Sequence, residues 1–391
     1  MGWEWILIFS IFIVAIYLFW MAAKRISLNS TDRVVRNIPP EYLRGLNYVL
    51  NEQQDKAIEL FIKMLEVDSD TVETHLALGN LFRRRGEVDR AIRIHQNLIA
   101  RPTLSEEERY LALLELGMDY MKSGLLDRAE SLFTELVETG NYRIQAYNEL
   151  LDIYQQEKDW NKAITIAKRL QMITGENLSP VIAQFHCELA EKYMNEGKSK
   201  EVVDCIRHAL NIDPGCVRAS ILEARKFIAD DKVKLALKSL KRIEKQDPEY
   251  LPEVINFIID CYRKLGKQEE CINYLHELNR KYDGITTLLY LTQIIQDTQG
   301  EKDAIHFIAD ELRKRPTVRG VDKLLEYVLA MADGEIRENL KTIKDMTASL
   351  LDNSPIYKCI QCGFDAKLLH WYCPSCKQWS SIKPVHGVAG E

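Results

Sequence analysis

The chain has no glycine-rich phosphate loop, no Gly-x-Ser-x-Gly elbow and no His-Glu-x-x-His helix, so the usual signatures of nucleotide, acyl-transfer and metallohydrolase sites are missing. It also lacks a block of like charge at either end. Its 391 residues carry a formal net charge of −6, and the charged fraction of 28% is mixed in sign. Nucleic-acid binding by bulk charge is therefore not supported, and no nucleic-acid partner is expected. His75, His95, His186, His208, His276 and His306 are scattered along the chain. Glu106 to Glu108 stand where a helix begins, and N-terminal capping accounts for them better than acid–base chemistry. The chain reads as a non-enzyme without catalytic residues.

What is there begins with a membrane signal. Trp5 to Ala23 is a 19-residue run without a charge. As a helix it spans about 28 Å, close to the hydrocarbon thickness of a bilayer. Trp3, Trp5 and Trp20 stand near its ends, where indoles prefer the interface. Glu4 precedes the run, and Lys24, Arg25, Arg33 and Arg36 follow it. That asymmetry predicts an uncleaved anchor over residues 1–25, with the rest of the chain on the cytoplasmic side. A polar linker over 26–40 ends in Pro39-Pro40, which breaks any continuous helix.

Residues 41–351 repeat with a period of 34. Leu43, Gly45, Tyr48, Ala57 and Phe61 set the pattern; Leu78, Gly79, Phe82, Gly86 and Ala91 return to it, and Leu116, Gly117, Tyr120, Gly124, Ala129 and Phe133 follow after a short insertion. The frame continues through Tyr154 and Ala163, then Leu189-Ala190 and Tyr193, then Ala224 and Phe227, then Tyr262 and Gly266, and reaches Gly300, Ala304 and Pro316. These are the tetratricopeptide spacings of a helical pair. Eight units are recognisable, and Val321 to Leu351 makes a further pair without the signature. Such pairs bury their apolar faces by stacking, which predicts an all-α superhelix whose first helices line an inner face suited to an extended peptide or a partner's helix. Arg83, Arg84 and Arg85 end a first helix and read as a solvated basic face.

The site chemistry is concentrated in residues 352–391. Cys359 and Cys362 form one Cys-x-x-Cys hook and Cys373 and Cys376 another, with ten residues between the hooks. On the cytoplasmic side reducing conditions disfavour disulfides, so the four thiolates are expected to hold one metal ion, iron or zinc. Gly363 suits the tight turn after the first hook; Lys377 stands at the same place in the second, whose turn is expected to close differently. Phe364, Leu368, Trp371, Tyr372 and Trp379 are the expected core of this small knot, which is expected to dock against the last repeats. His370 reads as a surface residue. Cys187, Cys205, Cys216, Cys261 and Cys271 lie in the helical stretches and read as small buried apolar side chains.

Anchor, repeat array and terminal knot, with the tail Cys359-Ile-Gln-Cys362-Gly-Phe, Trp371-Tyr-Cys373-Pro-Ser-Cys376 and Trp379-Ser-Ser-Ile-Lys-Pro384, together resemble the lipopolysaccharide assembly protein B family of Gram-negative bacteria. The resemblance implies a rubredoxin-like metal domain ligated by Cys359, Cys362, Cys373 and Cys376, with iron as the family's usual metal. It also implies an adaptor at the cell inner membrane that promotes degradation of the lipid A deacetylase LpxC by the membrane protease FtsH and answers to an inner-membrane lipopolysaccharide-sensing protein. A homodimer is compatible with this reading. The competing readings are electron transfer through a rubredoxin-type iron centre and a scaffold for another envelope-assembly complex.

Overall fold

The computed structural model describes residues 40–67, 71–282, 284–388 and 390. The anchor expected over residues 1–25 and the linker up to residue 39 lie outside the described residues. Among the described residues no helix is long and apolar enough to cross a membrane.

The described residues form eighteen α-helices followed by a three-stranded sheet. In chain order the helices are α1 (Pro40–Leu50), α2 (Gln54–Val67), α3 (Val72–Arg85), α4 (Val88–Ile99), α5 (Glu106–Ser123), α6 (Leu126–Thr139), α7 (Arg143–Gln156), α8 (Trp160–Thr174) and α9 (Ser179–Asn195). They continue as α10 (Ser199–Ile212), α11 (Val217–Ala229), α12 (Val233–Gln246), α13 (Leu251–Lys264), α14 (Gln268–Lys281), α15 (Ile285–Gln299), α16 (Glu301–Lys314), α17 (Val318–Met331) and α18 (Gly334–Asn353). Pro40, placed in the linker by sequence, is the first residue of α1, where a missing N–H costs nothing. The pair without the signature is α17 and α18. The chain divides into two compact units, one ending at Ile153 and the other running from Tyr154 to Glu391.

The repeat residues act as small-against-large contacts. A Cβ built on Gly45 would stand 2.6 Å from the Phe61 ring, and one on Gly117 would stand 2.5 Å from the Phe133 ring. Both glycines therefore let a first helix lie directly on the aromatic of its own second helix. Ala57, Ala91, Ala129, Ala163, Ala209 and Ala236 are fully buried for the same reason. Gly86 and Gly124 end α3 and α5 in the left-handed region, with φ of 88° and 78°. Ser105 and Glu108 close a capping box at the start of α5, which accounts for the carboxylates there.

The second repeat departs from the pattern. His95 replaces the aromatic and sits over Gly79, where a Cβ would meet its Nε2 at 2.3 Å. Its Nδ1 lies 2.6 Å from Asp119 Oδ2, with both side chains fully buried. Arg83 donates to Asp119 Oδ1 at 2.8 Å and to Glu115 Oε2 at 2.7 Å. Arg83 is thus part of a buried network joining α3, α4 and α5, which corrects the solvated-face reading for this residue; Arg85 pairs with Asp55 and Glu87, and Arg84 alone of the three is exposed without an ion pair among the described residues.

Candidate metal centre

The knuckle is built on β1 (Tyr357–Cys359), β2 (Asp365–Ala366) and β3 (Ile382–Pro384), paired antiparallel in the order β2-β1-β3. Tyr357 faces Ala366 on one side and Pro384 on the other, and Cys359 faces Ile382. Pro384 sits on an edge strand, where its lack of an N–H leaves no ladder bond unmade.

The two hooks have the same backbone. Gly363 N–H donates to Cys359 O at 2.9 Å and Lys377 N–H to Cys373 O at 3.0 Å; Cys359 N–H donates to Phe364 O at 2.8 Å and Cys373 N–H to Gln378 O at 2.9 Å. Gly363 has φ of 76° and Lys377 φ of 61°. The second turn therefore closes as the first does, contrary to the sequence expectation, and a lysine takes the left-handed conformation that a glycine takes in the first. The repeated ladder over-determines that strained position.

The four predicted cysteines come together. Their sulfurs all lie within 4.8 Å of one another, with Cys359 and Cys376 3.6 Å apart and Cys362 and Cys373 3.7 Å apart. A tetrahedron of about 2.3 Å metal–sulfur bonds has edges of about 3.8 Å, so the donor set fits one four-coordinate ion. Burial opposes ionisation of the Cys359 thiol, but hydrogen bonding with Ser381 and from the Cys362 and Gln361 N–H groups outweighs it and brings the thiol down to about 6. The Phe364 N–H lowers Cys362. Desolvation pushes Cys376 up to about 12. The amides thus favour thiolate on the first hook, whereas desolvation opposes it at Cys376, where a bound cation would supply the missing stabilisation. Cys362 is exposed and Cys359 and Cys373 are buried, so the cluster opens to solvent on one side. His370 is exposed, as expected.

The residues expected to fill the knot are divided between the knot and the repeats. Its own core is Cys359, Cys373 and Ile382, flanked by Tyr357, Phe364, Leu369 and Cys376, and Leu368 is 71% exposed. Trp379 packs on Tyr372 of the knot at 4.8 Å and also meets Trp160 and Phe185 edge-on at 6.1 and 5.7 Å, donating its Nε1–H to Gln155 Oε1 at 2.9 Å. Trp371 stacks on Tyr250 at 5.3 Å and lies under the Arg218 guanidinium at 5.8 Å. Arg218, nearly buried, is held by Glu188 at 2.8 Å and Glu191 at 3.0 Å. Gln184 donates to Ser380 Oγ at 3.0 Å, the Tyr250 hydroxyl to Ile382 O at 3.1 Å, and the Tyr357 hydroxyl to Glu253 at 2.6 Å. Lys383 is paired with Asp247 and, at 3.3 Å, with Glu249. The knuckle therefore docks chiefly on the first helices α9, α11 and α13 and their entry loops, with Gln155 of α7 and Trp160 of α8 receiving Trp379, while the tail beyond it reaches the last repeats, where the Val318 N–H at the start of α17 donates to Val388 O at 2.7 Å. Sequence reasoning named the two tryptophans but gave no signal for their docking partners, because Gln155, Gln184 and Arg218 lie outside the small-and-large packing signature of the repeat.

Residues 357–384 match the rubredoxin metal binding domain family, and residues 74–110 the tetratricopeptide repeat family. Lipopolysaccharide assembly protein B of Escherichia coli K12 is 39% identical over 97% of this chain and 97% of its own length. The chain belongs to the lipopolysaccharide assembly protein B family. The family member of Haemophilus influenzae is 33% identical, with 97% of this chain and 98% of its own length covered. Among solved structures, the C-terminal part of a tetratricopeptide-containing protein from Cytophaga hutchinsonii is 15% identical with a TM-score of 0.38, over 68% of this chain and 98% of that one. Family membership thus rests on the full-length relatives, and within it the four cysteines make up the metal-binding knuckle.

Proposed function

We propose that the protein is a membrane-anchored adaptor on the cytoplasmic side of the cell inner membrane, which limits lipopolysaccharide synthesis by delivering the deacetylase LpxC to the protease FtsH under the control of a lipopolysaccharide-sensing membrane protein. The observation that carries this reading is the end-to-end likeness to lipopolysaccharide assembly proteins, from the anchor-like N-terminal run to the knuckle. A stack of helical pairs with an accessible first-helix face supports a binding role, and an anchor would raise the local concentration of that face toward other membrane proteins.

The knuckle's part in this reading is to shape the array. Cys359, Cys362, Cys373 and Cys376 would hold the ion, iron in the family's usual form or zinc, which supplies folding energy to a domain too small to fold on its own core. Trp371 and Trp379 carry that order into the repeats. Depletion of the protein should raise the LpxC level and lipopolysaccharide output, measured by pulse-chase of LpxC; unchanged turnover would overturn the proposal. Metal analysis of protein purified at native expression decides between iron and zinc.

A further inference from the structure

The knuckle covers first helices of the second unit, and the second helices α8, α10 and α12 beside them turn another surface to solvent. Counted from the first residue of each helix, the fourth position is buried Ala163 in α8, Val202 in α10 and Ala236 in α12. In that register the ninth and tenth positions are Lys168 and Arg169, then Arg207 and His208, then Lys241 and Arg242. Three consecutive second helices thus carry a basic pair at one level. The same positions hold Thr134 and Glu135 in α6 and His276 and Glu277 in α14, so the run is confined to these three.

The charge is not cancelled locally. α8 has no acidic residue, and α12 carries five cations against Glu244 alone, which Lys281 binds at 3.0 Å. Lys234 and Lys238, Lys238 and Arg242, and Lys241 and Lys245 are like-charged neighbours one turn apart, an arrangement that destabilises an isolated helix. Arg242 is answered by Glu223 at 2.7 Å and Arg207 by Asp204 at 3.1 Å. Lys168, Arg169, Lys234, Lys238 and Lys245 are exposed and make no ion pair among the described residues. Bulky apolar side chains share this surface. Met172 and Ile173, 77% and 44% exposed, stand one turn beyond Lys168 and Arg169, and Leu235 is 46% exposed beside Lys234. Among α10, α11 and α12 a cleft of about 440 Å³ is lined by Val203, Ile206, Leu210 and Phe227 together with Arg207 and Arg242. A purely ionic partner would leave these aliphatic side chains in water. A bilayer answers both kinds of group, with anionic phosphates at its surface and acyl chains a short way beneath.

We propose that the outer face of α8, α10 and α12 lies on an anionic phospholipid surface. Lys168 and Arg169, with the exposed lysines of α12, meet headgroup phosphates, and Met172, Ile173 and Leu235 enter the boundary beneath them. The face stands on the geometry of the second unit; that the bilayer in question is the inner membrane rests on the function proposed above.

The test uses the full-length chain reconstituted in vesicles of phosphatidylcholine, alone or with about 30 mol % phosphatidylglycerol, and reads acetylation by a water-soluble reagent lysine by lysine. Acetylation of Lys168, Lys238 and Lys245 should slow at least about fivefold on the anionic vesicles and recover in about 0.5 M salt, while Lys302 on α16 keeps one rate throughout. Lys238→Glu with Lys245→Glu should remove the protection of Lys168 at unchanged melting temperature, and Lys238→Arg with Lys245→Arg should retain it. Equal rates on the two kinds of vesicle overturn the proposal, as does protection that Lys302 shares or that the glutamate variant keeps. Equal protection on neutral vesicles from inorganic phosphate or from a polyglutamate peptide overturns it too, since the face would then hold a free anion or an acidic protein. If lysine protection holds and depletion leaves LpxC unchanged, the adaptor reading fails while the lipid-facing surface stands.

Discussion

Lys377 shows how one residue records the demand of a metal loop. It adopts φ of 61° in a turn whose counterpart uses Gly363, so Lys377→Gly should relieve about 0.5–1 kcal/mol of strain. The measurable outcome is slower release of the ion to a chelator; unchanged or faster release would show that the lysine ammonium, 5.9 Å over the Tyr372 ring, matters more than its backbone. His95 makes the converse point. Phe matches the equivalent Phe61 and Phe133, yet His95→Phe should lower stability by about 1–3 kcal/mol in denaturant titration, because buried Asp119 would lose a hydrogen-bond partner. His186 carries a pH dependence. Its burial, with His208 and Lys168 nearby, brings the imidazole down to about 4, whereas in the unfolded chain it titrates near 6.5. Between those values the unfolded state binds the extra proton, so stability is full above about 6.5 and falls as pH drops toward about 4. His186→Phe should flatten that part of the stability–pH curve, read from denaturation midpoints across the window; an unchanged slope would place the acid sensitivity elsewhere.

At the level of elements, the repeat helices were legible because their period and their small residues are fixed by packing: Gly45, Gly79 and Gly117 have to be small where a side chain lies on them. The cysteine hooks were legible because metal geometry fixes their spacing. Docking of the knuckle was not, since Gln184 on α9, Arg218 on α11 and Glu253 on α13 are polar residues outside the repeat signature, and nothing in the sequence marks them as covered by a segment more than a hundred residues away. Trp371 and Trp379 were visible as aromatics, but a small knot with few apolar residues invites them into its own core, and nothing local distinguishes an inward ring from an outward one. Both rings reach the repeats, Trp379 while also packing on Tyr372, and that has a measurable consequence. Trp379→Ala removes the contacts with Trp160 and Phe185 and the bond to Gln155, and should weaken docking by about 3–5 kcal/mol while leaving the metal bound. Limited proteolysis reads this directly, as faster cleavage in the segment between Asn353 and Tyr357. Loss of the ion in this variant would mean that the tryptophan belongs to the knot after all.

For the molecule as a whole, the geometry links the candidate metal site to the repeats. The knuckle has almost no apolar core beyond Cys359, Cys373 and Ile382, so its order is expected to depend on a bound ion, and its order in turn sets Trp371 and Trp379 against the helices of its own unit. If the two are linked, removing the ion must release surface far from the sulfurs. Amide exchange should rise within residues 357–384 on chelation, and also in α9, α11 and α13, where Gln184, Arg218 and Glu253 lose their contacts. The first unit should keep its protection. Exchange confined to residues 357–384 would make the knuckle an independent appendage. A rise spread evenly over both units would mean that the ion supports the whole array and not the one face it covers.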